Sequence, residues 1–211
     1  LGLASLRRHS RSNAVQVASL ALGLTAILLL SITRADLIGA WRRAAPPDAP
    51  NRFMLNIQPD QLAPLREFFA ANSIPMPDLY PMIRGRLTEV NGKPVSERDY
   101  AEERARRLVE REFNLSFSSA PPAHNSVSAG RWFDAQPKGE AEISLEEGLG
   151  RTLGLKLGDA VTFDIAGEPY RARITSLRGL KWDSMKVNFF VIGQPAALER
   201  HPTSWITSLR V

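Results

Sequence analysis

Ala14 to Ile32 reads AVQVASLALGLTAILLLSI, 19 residues without a charge. Wound as an α-helix at about 1.5 Å per residue, the run spans about 29 Å, close to the hydrocarbon thickness of a bilayer. Its polar members Gln16, Ser19, Thr25 and Ser31 are uncharged, which suits a membrane helix that packs on others. Two competing readings of such a run are a buried core helix and a signal peptide. Soluble core helices rarely run so long without a charge. The run exceeds an ordinary signal h-region, and no small-residue cleavage site follows closely. The sequence therefore predicts a membrane span.

Working outward, Leu1 to Asn13 mixes Leu1, Leu3 and Leu6 with Arg7, Arg8, His9 and Arg11. It is expected to be a short amphipathic elbow (1–13) at the membrane face, on the cytoplasmic side by the positive-inside tendency. Arg34, Arg42 and Arg43 follow the span, so the bias is modest. The helix is expected to continue to Trp41, near the interface, giving a membrane helix with an extracytoplasmic extension over 14–41. Ala44 to Pro50 (AAPPDAP) breaks it, so 42–50 is assigned as a linker and 51–211 as the domain beyond. The chain starts at Leu1 and stops inside an alternating run, and it is expected to be a piece of a larger polypeptide.

The net charge of +5 is unevenly placed. Residues 1–41 carry +3 and the remaining 170 residues only +2, so the high pI follows the membrane flank and argues against a nucleic-acid partner. With no cysteine, disulfides, thiolate catalysis and cysteine metal sites are excluded.

Beyond the linker, strands and helices alternate. Phe53, Leu55 and Ile57 predict one face of a half-buried strand. Asp60 is expected to cap a helix with Leu62, Leu65, Phe68 and Phe69 on its apolar face, and Pro64 limits how early that helix is regular. Leu79 to Val90 reads as a strand ending at Asn91-Gly92, a type I′ hairpin signal. Ser96 is expected to open the longest helix after the span, SERDYAEERARRLVEREF. Its buried stripe would be Tyr100, Ala105, Leu108 and Val109, with Glu102–Arg106 and Glu103–Arg107 pairs outside. Pro121 to Gly130 reads as a polar loop.

Ser144 with Glu147 matches a capping box, Leu145, Leu149 and Leu153 follow, and Gly154 is placed to end the helix. Val161, Phe163 and Ile165 predict one strand. Ala166-Gly167-Glu168-Pro169 turns into another with Tyr170, Ala172 and Ile174 inward and Arg171 and Arg173 outward. Val187 to Ile192 and Ile206 to Val211 read as two more. The fold class is α+β, strand-rich in its second half.

No chemistry-bearing motif emerges. The Asn91-Gly92-Lys93 neighbourhood lacks the glycine and hydroxyl of a phosphate loop, having Leu87 and Pro94 instead. His9, His124 and His201 are far apart without metal-ligand spacing. No catalytic, cofactor-binding or metal residue is named, no cofactor is expected, and an enzyme is not. Lys181-Trp182-Asp183-Ser184 is the one conspicuous aromatic and charged loop, read as a strand connection.

Several runs together resemble a family. Ile143 to Glu147, Leu153-Gly154-Leu155-Lys156-Leu157-Gly158-Asp159 and the strand pair after them look like the extracytoplasmic core domain of MacB/FtsX-type ABC transporter permeases. Asn51 to Asp60, Leu79 to Arg86 and Trp182-Asp183-Ser184 through Asn188-Phe189-Phe190 resemble a narrower branch, the permease associated with a lysophospholipase/arylesterase and a partner ATPase. The resemblance implies a two-lobed, MacB-like periplasmic core on one leading membrane helix in the bacterial inner membrane, with residues after about 41 periplasmic. It implies a permease without its own ATPase site, coupling a cytoplasmic ABC ATPase to export or extraction of lipid-like molecules. Its partners would be that ATPase, the lipid bilayer and a periplasmic esterase, lysophospholipase or other protein. Gln16, Ser19, Gly23 and Thr25 are the candidates for helix–helix packing. The rival reading is a single-span sensor with an extracytoplasmic ligand-binding domain.

Overall fold

The charge-free run lies within a 35-residue helix, α1 (Ser10–Ala44). The computed structural model describes residues 10–44, 49–136, 139–181 and 184–210. Within α1, Ala14–Ala40 has a mean hydropathy of 2.2 and is long and apolar enough to cross a membrane. None of that stretch is buried within the chain, unlike the core helix of a soluble protein. The helix begins four residues before the expected 14–41 and ends three after it. Leu1 to His9, most of the expected elbow, and residues 45–48 of the linker lie outside the described residues.

Residues 48–211 form one compact unit. Its frame is set by two long strands, β2 (Tyr80–Val90) and β8 (Glu168–Leu180). Each changes neighbours along its length. Arg86 to Val90 of β2 pair with β7 (Ala160–Ile165), Ile83 to Gly85 pair with β4 (Phe113–Phe117), and Tyr80 to Met82 pair with β10 (Ser204–Leu209). On β8, residues 168–173 pair with β7, residues 172–178 run parallel to β6 (Ala141–Glu146), and residues 176–180 pair with β5 (Asn125–Gly130). The short β9 (Val191–Gly193) joins β6 to β4.

These pairings close a ring, β2–β4–β9–β6–β8–β7 and back to β2. The β4–β9 and β6–β8 contacts are parallel and the other four antiparallel. A closed ring leaves none of its strands with an open edge. Inward alternation fills it with Ile83, Leu115, Ile143, Leu145, Val161 and Ile174, each at most 1% exposed. Gly85 is required where β2 crosses this packing, because a Cβ there would lie 2.6 Å from Leu115 Cδ1. Two short helices, α3 (Glu103–Glu110) and α4 (Glu147–Leu153), cover the barrel with Ala105, Val109, Leu149 and Leu153. Outside the ring, β1 (Arg52–Ile57) pairs only with β10, β3 (Lys93–Pro94) forms a hairpin with β2, α2 (Leu62–Ala71) is peripheral, and α5 (Pro195–Leu198) packs Leu198 into the core.

Both turn signals give hairpins. Asn91 and Gly92 adopt φ of 52° and 74°, and Ala166 and Gly167 adopt 53° and 88°, the left-handed pairs a type I′ turn needs. Asn91-Gly92-Lys93 is thus a hairpin turn. Gly154 ends α4 in the left-handed conformation as expected.

Other expectations are corrected. Phe53 and Leu55 of β1 are 52% and 63% exposed, because β1 is the outermost strand of its sheet end and a bulge at left-handed Asn56 breaks the alternation before Ile57. Asp60 does not cap α2. It sits inside a 3-10 turn, Pro59–Gln61, closed by Gln58 and Gln61, and only Phe69 of α2 is buried. The Ser96 helix is two pieces. Ser96 and Asp99 close a 3-10 turn, the chain is extended at Tyr100, and α3 starts at Glu103. Arg106 explains the break, donating to the carbonyls of Tyr100 and Ala101 (2.8 and 3.1 Å) instead of pairing with Glu102. Glu103–Arg107 does pair, at 2.8 Å. Pro121 to Gly130 contains strand β5, Val187 to Ile192 is strand only from Val191, and β10 begins two residues before Ile206. Ser144 is a buried member of β6, and the cap of α4 is Glu146, whose carboxylate accepts from the Gly148 and Leu149 amides.

Candidate functional site

Pro81 ends the ladder between β2 and β4. It has no N–H to donate, and the Ser116 hydroxyl instead donates to its carbonyl at 2.7 Å. Before this point β2 stays with β10, where the Thr207 hydroxyl donates to the Asp78 carbonyl at 2.6 Å. Beyond it β4 stays with β9. The two pairs part, and a cleft of about 700 Å³ opens between them. Its walls are the segment 76–81, the loop after β4 up to Asn125, residues 186–189 and the end of β10. Val187, Phe189 and Ile192 belong to a second apolar cluster with Met82 and Phe133, which forms the floor.

One side chain holds the walls. Arg178 of β8 is completely buried. Its Nη1 donates to Asn125 Oδ1 (2.5 Å), its Nη2 to the Phe189 carbonyl (3.0 Å), and its Nε to the Ser144 hydroxyl (2.9 Å). Ser176 completes the set, donating to Ser144 Oγ at 2.7 Å. Burial pushes the Arg178 guanidinium down to about 10, with Glu146 acting in the opposite direction, so it remains charged at neutral pH. Two further bonds tie the same segments together, from Asn125 Nδ2 to Asn188 Oδ1 (2.9 Å) and from His124 Nε2 to the Val187 carbonyl (2.9 Å). The cleft is therefore braced by a buried cation rather than left to loop packing.

A second buried polar feature lies at the β7–β8 hairpin end. Tyr170 Oη and His201 Nε2 are buried without a hydrogen-bond partner among the described residues, their rings edge to face at 6.2 Å. His201 Nδ1 lies 3.8 Å from the Glu168 carboxylate. Desolvation lowers the His201 pKa, nearby Arg200 adds to this, and Glu168 opposes it. Among the described residues no group of three or more His, Asp or Glu is placed to hold a metal ion.

The packing candidates Gln16, Ser19, Gly23 and Thr25 all lie on α1, exposed. The Thr25 hydroxyl donates back to the Ala21 carbonyl at 2.7 Å, which satisfies it inside the helix. Trp182 and Asp183 of the conspicuous loop lie outside the described residues. Arg178 was missed by sequence reasoning, although its signal is present. Tyr170, Ala172, Ile174, Ser176 and Arg178 alternate as the buried positions of β8, so the inward set runs on into an arginine.

No protein-family profile matches the sequence. Over 210 residues it is 38% identical to a protein of Escherichia coli (strain K12) described as the uncharacterized ABC transporter permease YbbP. The chain is similar to part of an ABC permease. That alignment covers all of this chain and 25% of YbbP, so the chain spans about a quarter of the length of the curated relative it matches. The identity runs along the entire chain, helix and barrel together. Among the described residues one helix is long and apolar enough to cross a membrane, and the alignment includes it.

Proposed function

We propose that the chain is a leading membrane helix and extracytoplasmic domain of an ABC transporter permease of the MacB/FtsX type. In this reading it couples a cytoplasmic ATPase to export or extraction of lipid-like molecules at the periplasmic side of the inner membrane. The observation that carries it is the 38% identity to YbbP along the whole chain, which takes in both the membrane helix and the domain. The cluster Arg7, Arg8 and Arg11 before the span supports a cytoplasmic start and a periplasmic barrel. A helix that leaves the membrane as one rigid piece suits a lever, and a barrel with no open edge suits a part that moves as a body. A periplasmic esterase or lysophospholipase is the further partner that the resemblance to the narrower branch adds. No observation favours the single-span sensor.

The test is purification of the complete polypeptide in mild detergent with whatever binds it. A co-purifying ATP-hydrolysing subunit, whose turnover changes when the permease is present, is the expected result. Recovery of the polypeptide without such a subunit, and with no effect on the turnover of an added cytoplasmic ABC ATPase, would overturn the reading.

A further inference from the structure

The cleft at the parting of β2 and β4 has walls of unusual composition. Five of the chain's fifteen prolines line it: Pro50, Pro77, Pro81, Pro121 and Pro122. Each proline removes a backbone N–H, so these stretches are poor edges for an extended peptide to add to. What it offers is rigid apolar surface, extended by Phe117 and Phe189. Its volume of about 700 Å³ falls in the range of about 300–1,000 Å³ that takes small-molecule ligands.

The charges give the cleft a sign. Its described lining carries two cations, Lys186 and Arg210, against one carboxylate, Asp78. Burial raises the Tyr80 pKa, and the nearby Asp78 carboxylate adds to this. Lys186 is exposed and makes no ion pair among the described residues. The polar groups His124, Asn125 and Asn188 are spent on bracing the walls. A cleft whose apolar walls lie beside polar groups and an exposed lysine is complementary to an apolar chain with an anionic end.

We propose that this cleft binds a single-chain amphiphile with an anionic headgroup, the chain against the proline walls and the headgroup at Lys186. This deepens the permease reading by naming a class for its lipid-like substrate, and the occupant is a free lipid monomer. Because Arg178 fixes both Asn125 and the Phe189 backbone, the slot is held open before ligand arrives, which lowers the ordering cost of binding.

The experiment uses the whole chain in phosphatidylcholine nanodiscs with a diazirine-bearing palmitate, and crosslinks are mapped to peptides. The expected result is labelling of 76–81 and 186–189, competed by unlabelled palmitate and not by its uncharged methyl ester. Lys186→Glu, at an exposed position with no ion-pair partner among the described residues, should keep the same melting temperature and lose about five-fold of that labelling. Labelling confined to α1 would overturn the proposal. So would competition by the methyl ester equal to that by palmitate, or labelling unchanged in Lys186→Glu. The ATPase co-purification is read independently, so a coupled ATPase with an unlabelled cleft would leave the permease reading standing while this proposal fell.

Discussion

The helix α1 and the barrel treat the same side chains in opposite ways. On α1, Leu20, Leu22 and Leu30 are 65%, 71% and 75% exposed, while Leu115 and Leu145 in the barrel are at most 1% exposed. Both regions nonetheless solve one problem, that of leaving no backbone group unpaired. A helix pairs its own N–H and C=O groups within one segment, and a closed ring pairs them strand to strand. Only for the helix does that solution leave the apolar side chains outside, which is stable when the surroundings are lipid rather than water. The difference shows that the outer solvent, not the residue type, decides which surface is the core. It also predicts that the two regions fail by different routes.

The largest separation should come from Arg178→Ala. The substitution leaves Asn125 Oδ1, the Phe189 carbonyl and the Glu146 carboxylate without their cation. Removing one partner of a buried charged set costs about 3–5 kcal/mol. For a domain of this size that lowers the melting temperature by about 10 °C or more. Arg178→Lys keeps the charge and loses the planar fork, so it should fall between. Circular dichroism of the nanodisc-bound chain reads both regions at once. The strand signal should melt early and the helical signal persist. A helix that melts with the strands would break the comparison.

The reverse lesion is Leu24→Arg. A charge at the centre of a membrane helix costs about 2.5–3.5 kcal/mol of insertion. Alkaline extraction should release a larger fraction of the variant, while its barrel keeps the strand signal of the parent. Unchanged extraction would mean that α1 is not held by lipid.

These two sites also mark what was legible. A span announces itself through local composition, and hairpins through pairs such as Asn91-Gly92 and Ala166-Gly167, because one or two residues decide each. The barrel's closure depends on Leu87 meeting Phe163 across 76 positions of sequence, which no local pattern encodes. The Ser96 segment misled because its charges have helical spacing, yet Arg106 stabilises a break by binding the carbonyls at residues 100 and 101. Ser144 misled because a serine three residues before a glutamate fits a cap. In the fold its hydroxyl instead accepts from Arg178, and Glu146 takes the capping role. The cleft was illegible for the same reason as the closure, since its walls come from widely separated parts of the chain.

A gentler effect follows from pH. Burial and Arg200 lower the His201 pKa from its ordinary 6.5, against the pull of Glu168, so the folded barrel prefers the neutral ring. The unfolded chain binds the proton first. Barrel stability should therefore be full above pH 6.5, decline as the pH falls from 6.5 to the lowered folded value, and then level off. Denaturant titrations across that window should show the decline in the parent and a flatter profile in His201→Phe. The anchoring of α1 should not respond, because Ala14 to Ile32 has nothing to titrate. A profile for His201→Phe as steep as the parent's would assign the acid sensitivity to another group.

The smallest effect tests whether α1 is surrounded by lipid on every side. A Cβ added at Gly23 meets nothing within 4 Å in this chain. In a helix that touches only lipid, Gly23→Ala should stabilise by about 1 kcal/mol, since alanine loses less backbone freedom on helix formation. Where a second helix packs at Gly23, the same methyl group holds the backbones apart and weakens their association. The two arrangements predict opposite signs for one substitution. Melting the complete polypeptide, with and without Gly23→Ala, distinguishes them. A lowered melting temperature would make Gly23 a contact point, and the exposure of α1 would then belong only to the isolated segment. A raised one would leave this face of α1 to the bilayer.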